Sequence, residues 1–316
     1  MKFGAASWPF QWDPPYENAI RRIAKLGFTA VELIAWDEDF LERYYTPAKI
    51  GELAEVLSGE GVELSQFVYS PFDLSHADKP KRDAAVETFR RAVEVGTELG
   101  AHIINSVSAW PFGMRYGRDL PWLTQKPLVQ SFGVSLPSGL DWDGNYQHYV
   151  EAVRACADAC EAAGAFYSIE PHPYAYVANT SGCLRLIEQV GGDALGINFD
   201  PSHTFPIGDF PNMSVYQLGS HIKHVHVSDN DAVTNVHWRP GQGKIDWVAM
   251  FRALKDVGYD GVVSIELEDV PGVSRGGADA PGIYRNETAT DAFVEENLAG
   301  VRYLKEVCEE VGIDTQ

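Results

Sequence analysis

The chain has 316 residues, with 45 acidic against 25 basic side chains and a formal charge of −20, a balance that repels polyanions and sets nucleic acid aside as a partner. Its length allows one large core and no Ser-, Pro- or Gly-rich linker divides it, so a single domain over 1–316 is expected. The opening MKFGAASWPF lacks the charged-then-apolar order of a signal peptide and no apolar run reaches membrane-spanning length, which predicts a soluble cytoplasmic protein with no membrane partner.

Along the chain, strand-like apolar runs alternate with amphipathic stretches that close on glycine, the written form of a βα repeat. The runs fall at 2–8, 28–36, 62–70, 101–110, 165–173, 194–203, 223–229 and 261–269. Gly27, Gly61, Gly100, Gly164, Gly192 and Gly258 supply the left-handed residue that ends a helix before the chain turns into the next strand. Eight such units predict an α/β fold of the (β/α)8 TIM-barrel type; an open doubly wound sheet is the rival, but no GxGxxG follows the first strand. Cys156 and Cys160 stand one helical turn apart and, with Cys183 and Cys308, read as core thiols rather than disulfides. Two connections, 111–144 and 270–289, are longer than a barrel requires, and because both follow strands they are expected on the catalytic face as a lid or partner surface.

A barrel assembles its site from the carboxyl ends of its strands, and four consecutive strands supply ionisable residues there. SIEPHP carries Glu170 and His172, NFDPSH carries Asp200 and His203, HVHVSD carries His224 and His226, and SIELED carries Glu266. Each follows apolar strand positions, so each charge enters the barrel mouth, where an unpaired carboxylate is costly to bury. A lone inward acid is commonly a salt-bridged core group; four groups on successive strands call for a cation. Glu170, Asp200, His226 and Glu266 together offer carboxylate oxygens and one imidazole, a set that suits Mn2+ best, with Mg2+, Co2+ or Zn2+ as alternatives. Without thiolates, a structural zinc site is not expected.

In kind and order these motifs resemble the xylose-isomerase-like barrel superfamily of sugar isomerases, keto-sugar 3-epimerases and apurinic endonucleases of the endonuclease IV type, over essentially the whole chain. The resemblance rests on Glu170 closing strand five, the DxxH of Asp200 and His203, the HxH ending at His226, and the SIE of Glu266. HWRPGQGKIDW matches the family's arginine before a PGxG turn, so the resemblance implies that Arg239 and His203 bind substrate oxygens. It further implies that Glu170 and Glu266 stand on opposite faces of a sugar, one removing a proton beside the carbonyl and the other returning it.

His172 distinguishes two chemistries. At i+2 from Glu170 on an extended strand it should face the same side, either as a structural imidazole or as a second general base. EPHP also resembles the strand-five motif of the catalytic α subunits of C-glycoside deglycosidases, which implies carbon–carbon cleavage of 3-oxo-C-glycosides by β-elimination, with His172 as base and a small β subunit as partner. Trp8, Trp36 and Trp110 lie at strand ends, where rings stack on sugar or aglycone; Trp12, Trp122, Trp142 and Trp238 fall in loops. A neutral sugar is expected over a phosphorylated one, since no glycine-rich phosphate cradle follows strands seven and eight. The endonuclease reading would need further ligands, for which His102, His224 and Asp229 are the candidates, and a basic face that this acidic chain lacks. A non-catalytic sugar-binding barrel is the remaining class, and a homo-oligomer or a small β subunit is the partner arrangement to look for.

Overall fold

Eight parallel strands close into a ring: β1 (Lys2–Ala6), β2 (Ala30–Ala35), β3 (Glu63–Tyr69), β4 (Ile103–Val107), β5 (Phe166–Glu170), β6 (Leu195–Phe199), β7 (Ile222–Val227) and β8 (Val262–Ile265), with β8 pairing back onto β1. A computed structural model describes residues 1–114, 136, 138–268, 270–273 and 289–315. Residues 115–135, 137 and 274–288, which carry most of the two long connections expected as lid or partner surface, and Trp122 with them, lie outside the described residues.

The six glycines expected to end helices all take positive φ, between 70° and 90°, a conformation open to glycine without a Cβ clash. Several helix starts are capped by Thr, Asn or Asp side chains. Thr46, Asn179 and Asp246 accept from the backbone N–H groups of Lys49, Gly182 and Ala249. All four cysteines are buried and free, as expected of core thiols.

The strands stop earlier than the apolar runs suggested. β6 ends at Phe199, because Pro201 fixes a helical φ and Asp200 turns its carboxylate onto the Ser202 N–H at 2.7 Å, starting a one-turn helix, Pro201–Thr204. β5 ends at Glu170, so His172 lies in a turn rather than on an extended strand.

The barrel interior is not purely apolar. Glu32, Gln66, Asn105, Ser168, Asn198, His224, His226 and Ser264 are fully buried, and together they form a polar layer contributed by β2 to β8. Register shifts in the β2–β3 and β6–β7 pairings occur within this layer, setting Gln66 opposite Glu32 and His224 opposite Asn198, which is how bulges re-aim side chains near active sites.

Candidate metal centre

One ligand atom each from Glu170, Asp200, His226 and Glu266 falls within 4.8 Å of the others, and all four residues are buried. Glu170 closes β5, Asp200 follows β6, His226 lies in β7 and Glu266 follows β8. His226 presents Nδ1 to Glu170 Oε1 and to Glu266 Oε2, at 3.0 Å each. Asn105 donates to Glu170 Oε2 at 3.3 Å, and the Trp8 indole N–H donates to Glu266 Oε1 at 2.7 Å. Trp8, expected as a stacking surface, therefore meets the site through its N–H and sets its ring edge-on to His226.

The donor set fits a hard or borderline divalent ion. Three carboxylates and one imidazole converge with no thiolate, and Asp200 Oδ2 has no hydrogen-bond partner although Asp200 is fully buried. Leaving such an oxygen unsatisfied is costly unless a cation completes it.

A band of imidazoles borders these four residues. His203 Nε2 lies 3.6 Å from Asp200 Oδ2 and 3.7 Å from Glu170 Oε1, while Asn235 Oδ1 accepts from its Nδ1 at 2.8 Å. The His172 ring centroid is 3.7 Å from that of His203, so the turn brings His172 to the mouth by a route other than strand alternation. Trp110 meets His172 edge-on at 5.8 Å and donates its N–H to Pro173 O.

His237 was not singled out from sequence, yet its Nε2 is 3.5 Å from Asp200 Oδ2 and its ring 4.8 Å from His203. Arg239, two residues on, turns to the helix Asp291–Val311 and pairs with Glu296 at 2.8 Å. The loop geometry explains this placement. Asp229 and Trp238 exchange backbone hydrogen bonds at 2.8 Å, folding the segment back over the mouth. The Asp229 carboxylate accepts from the N–H groups of Asn230, Gly241 and Ile245 and from the Trp247 indole. Gly241 has φ +88°, and a Cβ on Gly243 would sit 2.2 Å from Asp229 Oδ1, so the PGQG turn is built around this carboxylate. Asp229 is thus committed to the loop. His224 bonds to Asn198 and Ser65, and His102 is exposed at the opposite end of the barrel.

Glu32 was also not singled out. It sits mid-strand in β2, fully buried, with its carboxylate 3.0 and 3.2 Å from His226 Nε2 and accepting from Gln66 at 2.6 Å. The available signal was an acid inside the apolar run AVELIA of a strand buried on both faces.

Burial and charge set opposite protonation preferences within a few ångströms. Burial raises the Glu32 carboxyl, but His226 and His224 overcome it and hold it down to about 2. Burial also raises Asp200 and Glu266, and the neighbouring imidazoles hold both below the ordinary carboxylate range. For His226 burial acts downward, and Glu32, Glu266 and Glu170 lift it well above its usual value. His224 goes the other way, to about 4, because burial outweighs Glu32. Burial and the His203 and His237 rings hold His172 well below its ordinary value, so it is neutral at neutral pH.

A family model described as Xylose isomerase-like TIM barrel matches residues 20–295. Fructoselysine 3-epimerase of Shigella flexneri is 36% identical over 266 residues, covering 80% of this chain and 85% of that protein. D-psicose 3-epimerase of Ruminiclostridium cellulolyticum is 26% identical over 276 residues, covering 84% and 83%. The solved structure of D-psicose 3-epimerase with D-tagatose from Clostridium cellulolyticum H10 superposes with a TM-score of 0.72 at 23% identity, over 97% of this chain and 99% of that one. Among the described residues no helix is long and apolar enough to cross a membrane.

Proposed function

The chain belongs to the xylose isomerase-like TIM-barrel family, and from that premise we propose that it is a divalent-metal-dependent keto-sugar epimerase or isomerase acting on a neutral sugar. The observation that carries this reading is the convergence of Glu170, Asp200, His226 and Glu266 from four successive strand ends, with a buried Asp200 oxygen that makes no hydrogen bond among the described residues and meets the His203 and His237 rings at 3.6 and 3.5 Å. The sequence relatives named above are sugar 3-epimerases and match most of the chain.

Glu170, Asp200, His226 and Glu266 would hold the ion, with Mn2+ the best match to three carboxylates and one imidazole. When bound, the ion supplies Lewis acidity that polarises a sugar carbonyl and makes the adjacent C–H acidic. The chain supplies the proton transfers. One of Glu170 and Glu266 takes the proton from carbon as carboxylate, and the other, as carboxylic acid, delivers a proton to the opposite face, inverting that carbon. Trp8 fixes the Glu266 carboxylate through Oε1 and Asn105 fixes Glu170 through Oε2. His203, held by Asn235, lies where it can contact substrate oxygens, and Trp110 and His172 form the adjoining wall. Arg239 reaches substrate only by leaving Glu296.

A second reading, carbon–carbon cleavage of a 3-oxo-C-glycoside with a small β subunit, is favoured by one observation: His172 is held neutral against His203, in the state a general base requires. Incubation of the Mn2+-loaded protein in D2O with a ketose panel and with 3-oxo-C-glycosides separates the two. Deuterium at one carbon of an intact ketose is the expected result, free aglycone establishes the lyase, and neither product from either class sinks both.

A further inference from the structure

The His226 ring has two nitrogens with different surroundings. Nδ1 faces Glu170 Oε1 and Glu266 Oε2, while Nε2 faces both oxygens of Glu32. A neutral imidazole can ligate a cation only through its bare nitrogen, so something must hold the proton on the other one. The Asn198 amide lies 3.3 Å from Nδ1 and 3.4 Å from Nε2 and does not discriminate between them. Gln66 approaches Nε2 at 3.2 Å, but the same amide donates to Glu32 at 2.6 Å and anchors that carboxylate. A carboxylate accepting from N–H forms a stronger bond than a neutral amide makes at a similar distance.

Resting on the metal reading above, we propose that Glu32 is a positioning residue: it accepts the Nε2 proton of His226, fixes the ring on β7, and leaves Nδ1 as the nitrogen turned toward Glu170 and Glu266. Glu32 acts through the imidazole and is not one of the four converging donors, though it also lies within 4.8 Å of donor atoms of His224 and His226. Its place was prepared by the backbone, since the register shift at β2–β3 sets Gln66 directly opposite. Full burial keeps water from substituting as the acceptor.

The test uses Glu32→Gln, which keeps the shape and removes the charge, with Mn2+ binding followed by electron paramagnetic resonance of the free ion. Wild type should bind one Mn2+ per chain, and the variant should bind it about 10- to 100-fold more weakly while its metal-free circular dichroism stays that of the folded wild type. Long-range 1H–15N spectra of histidine-labelled, Mg2+-loaded wild type should show His226 protonated at Nε2. An unchanged Mn2+ affinity in a folded variant overturns the proposal, as does an Nδ1-protonated His226 in the loaded wild type; the latter decides the matter should the variant fail to fold. Two Mn2+ per wild-type chain, one of them lost in Glu32→Gln, would make Glu32 a ligand and overturn it too. A wild-type protein that binds none of Mn2+, Mg2+, Co2+ or Zn2+ sinks the metal reading itself, and the role of Glu32 with it.

Discussion

The two ends of this barrel are built from the same eight strands and differ in what they bring together. At the amino-terminal end a cavity of about 380 Å3 is lined by His102, Phe166, Lys223, Tyr259 and the turns at Gly219–Ser220 and Gly258–Gly261. Two of its polar side chains are already engaged: Lys223 Nζ lies 4.4 Å from the Phe166 ring centroid and donates to Ser220 O, and the Tyr259 hydroxyl donates to Val262 O. At the carboxyl end, carboxylates and imidazoles converge without saturating one another. A cavity lined by engaged side chains and a cluster of unsatisfied convergent charge thus stand at opposite ends, and the cluster is the better guide to chemistry. The cause lies in the connections, since tight glycine turns bring helices into strands at one end while longer segments leave the strands at the other.

The sharpest test of that contrast is Glu266→Gln. If this residue carries a proton to or from carbon, solvent deuterium uptake into a ketose should fall by about 10²- to 10⁴-fold at a Mn2+ concentration that saturates the variant. Full exchange by a metal-loaded Glu266→Gln protein would show that convergence at the mouth is structural and would break the contrast.

Next in size is Asp229, which holds the loop that delivers His237. Asp229→Asn keeps one acceptor oxygen and turns an amide against donors that now meet a carboxylate, including Gly241 N, Ile245 N and the Trp247 indole. A loss of roughly 2–4 kcal/mol is expected in urea denaturation. An unchanged midpoint would mean that the mouth is held by the strands alone.

These residues also mark how far sequence reading reached. The eight strands and the six helix-ending glycines were legible because periodicity and left-handed φ leave local signatures. The placement of Glu170, Asp200, His226 and Glu266 was legible because a polar residue after an apolar strand reads as a strand end. Glu32 was passed over because it interrupts a strand at its centre, and its meaning depends on a ring donated by β7, 194 residues away. His237 was passed over in favour of Arg239 because spacing to PGQG does not reveal which residue of a returning loop faces inward; the Asp229–Trp238 pairing decides that. His172 reached the site through a turn, not through the strand alternation expected of it. Long-range pairing of this kind is written in no local window.

The smallest effect is expected at the other end. Lys223→Ala removes a cation over Phe166 and a single bond to Ser220 O, both partners exposed, and touches none of the groups at the mouth. The cation–π contact is worth about 0.5–1 kcal/mol, so the thermal midpoint should drop by only about 1–3 °C. Because the site lies at the far end of the strands, turnover should stay within about twofold of wild type. A loss of about tenfold or more in turnover, with the fold intact, would show that the amino-terminal cavity is energetically coupled to the mouth through the strands. In that event the contrast between the two ends would become a connection, and β7, which starts beside the cavity at Ile222 and ends past His226, would be the element that carries it.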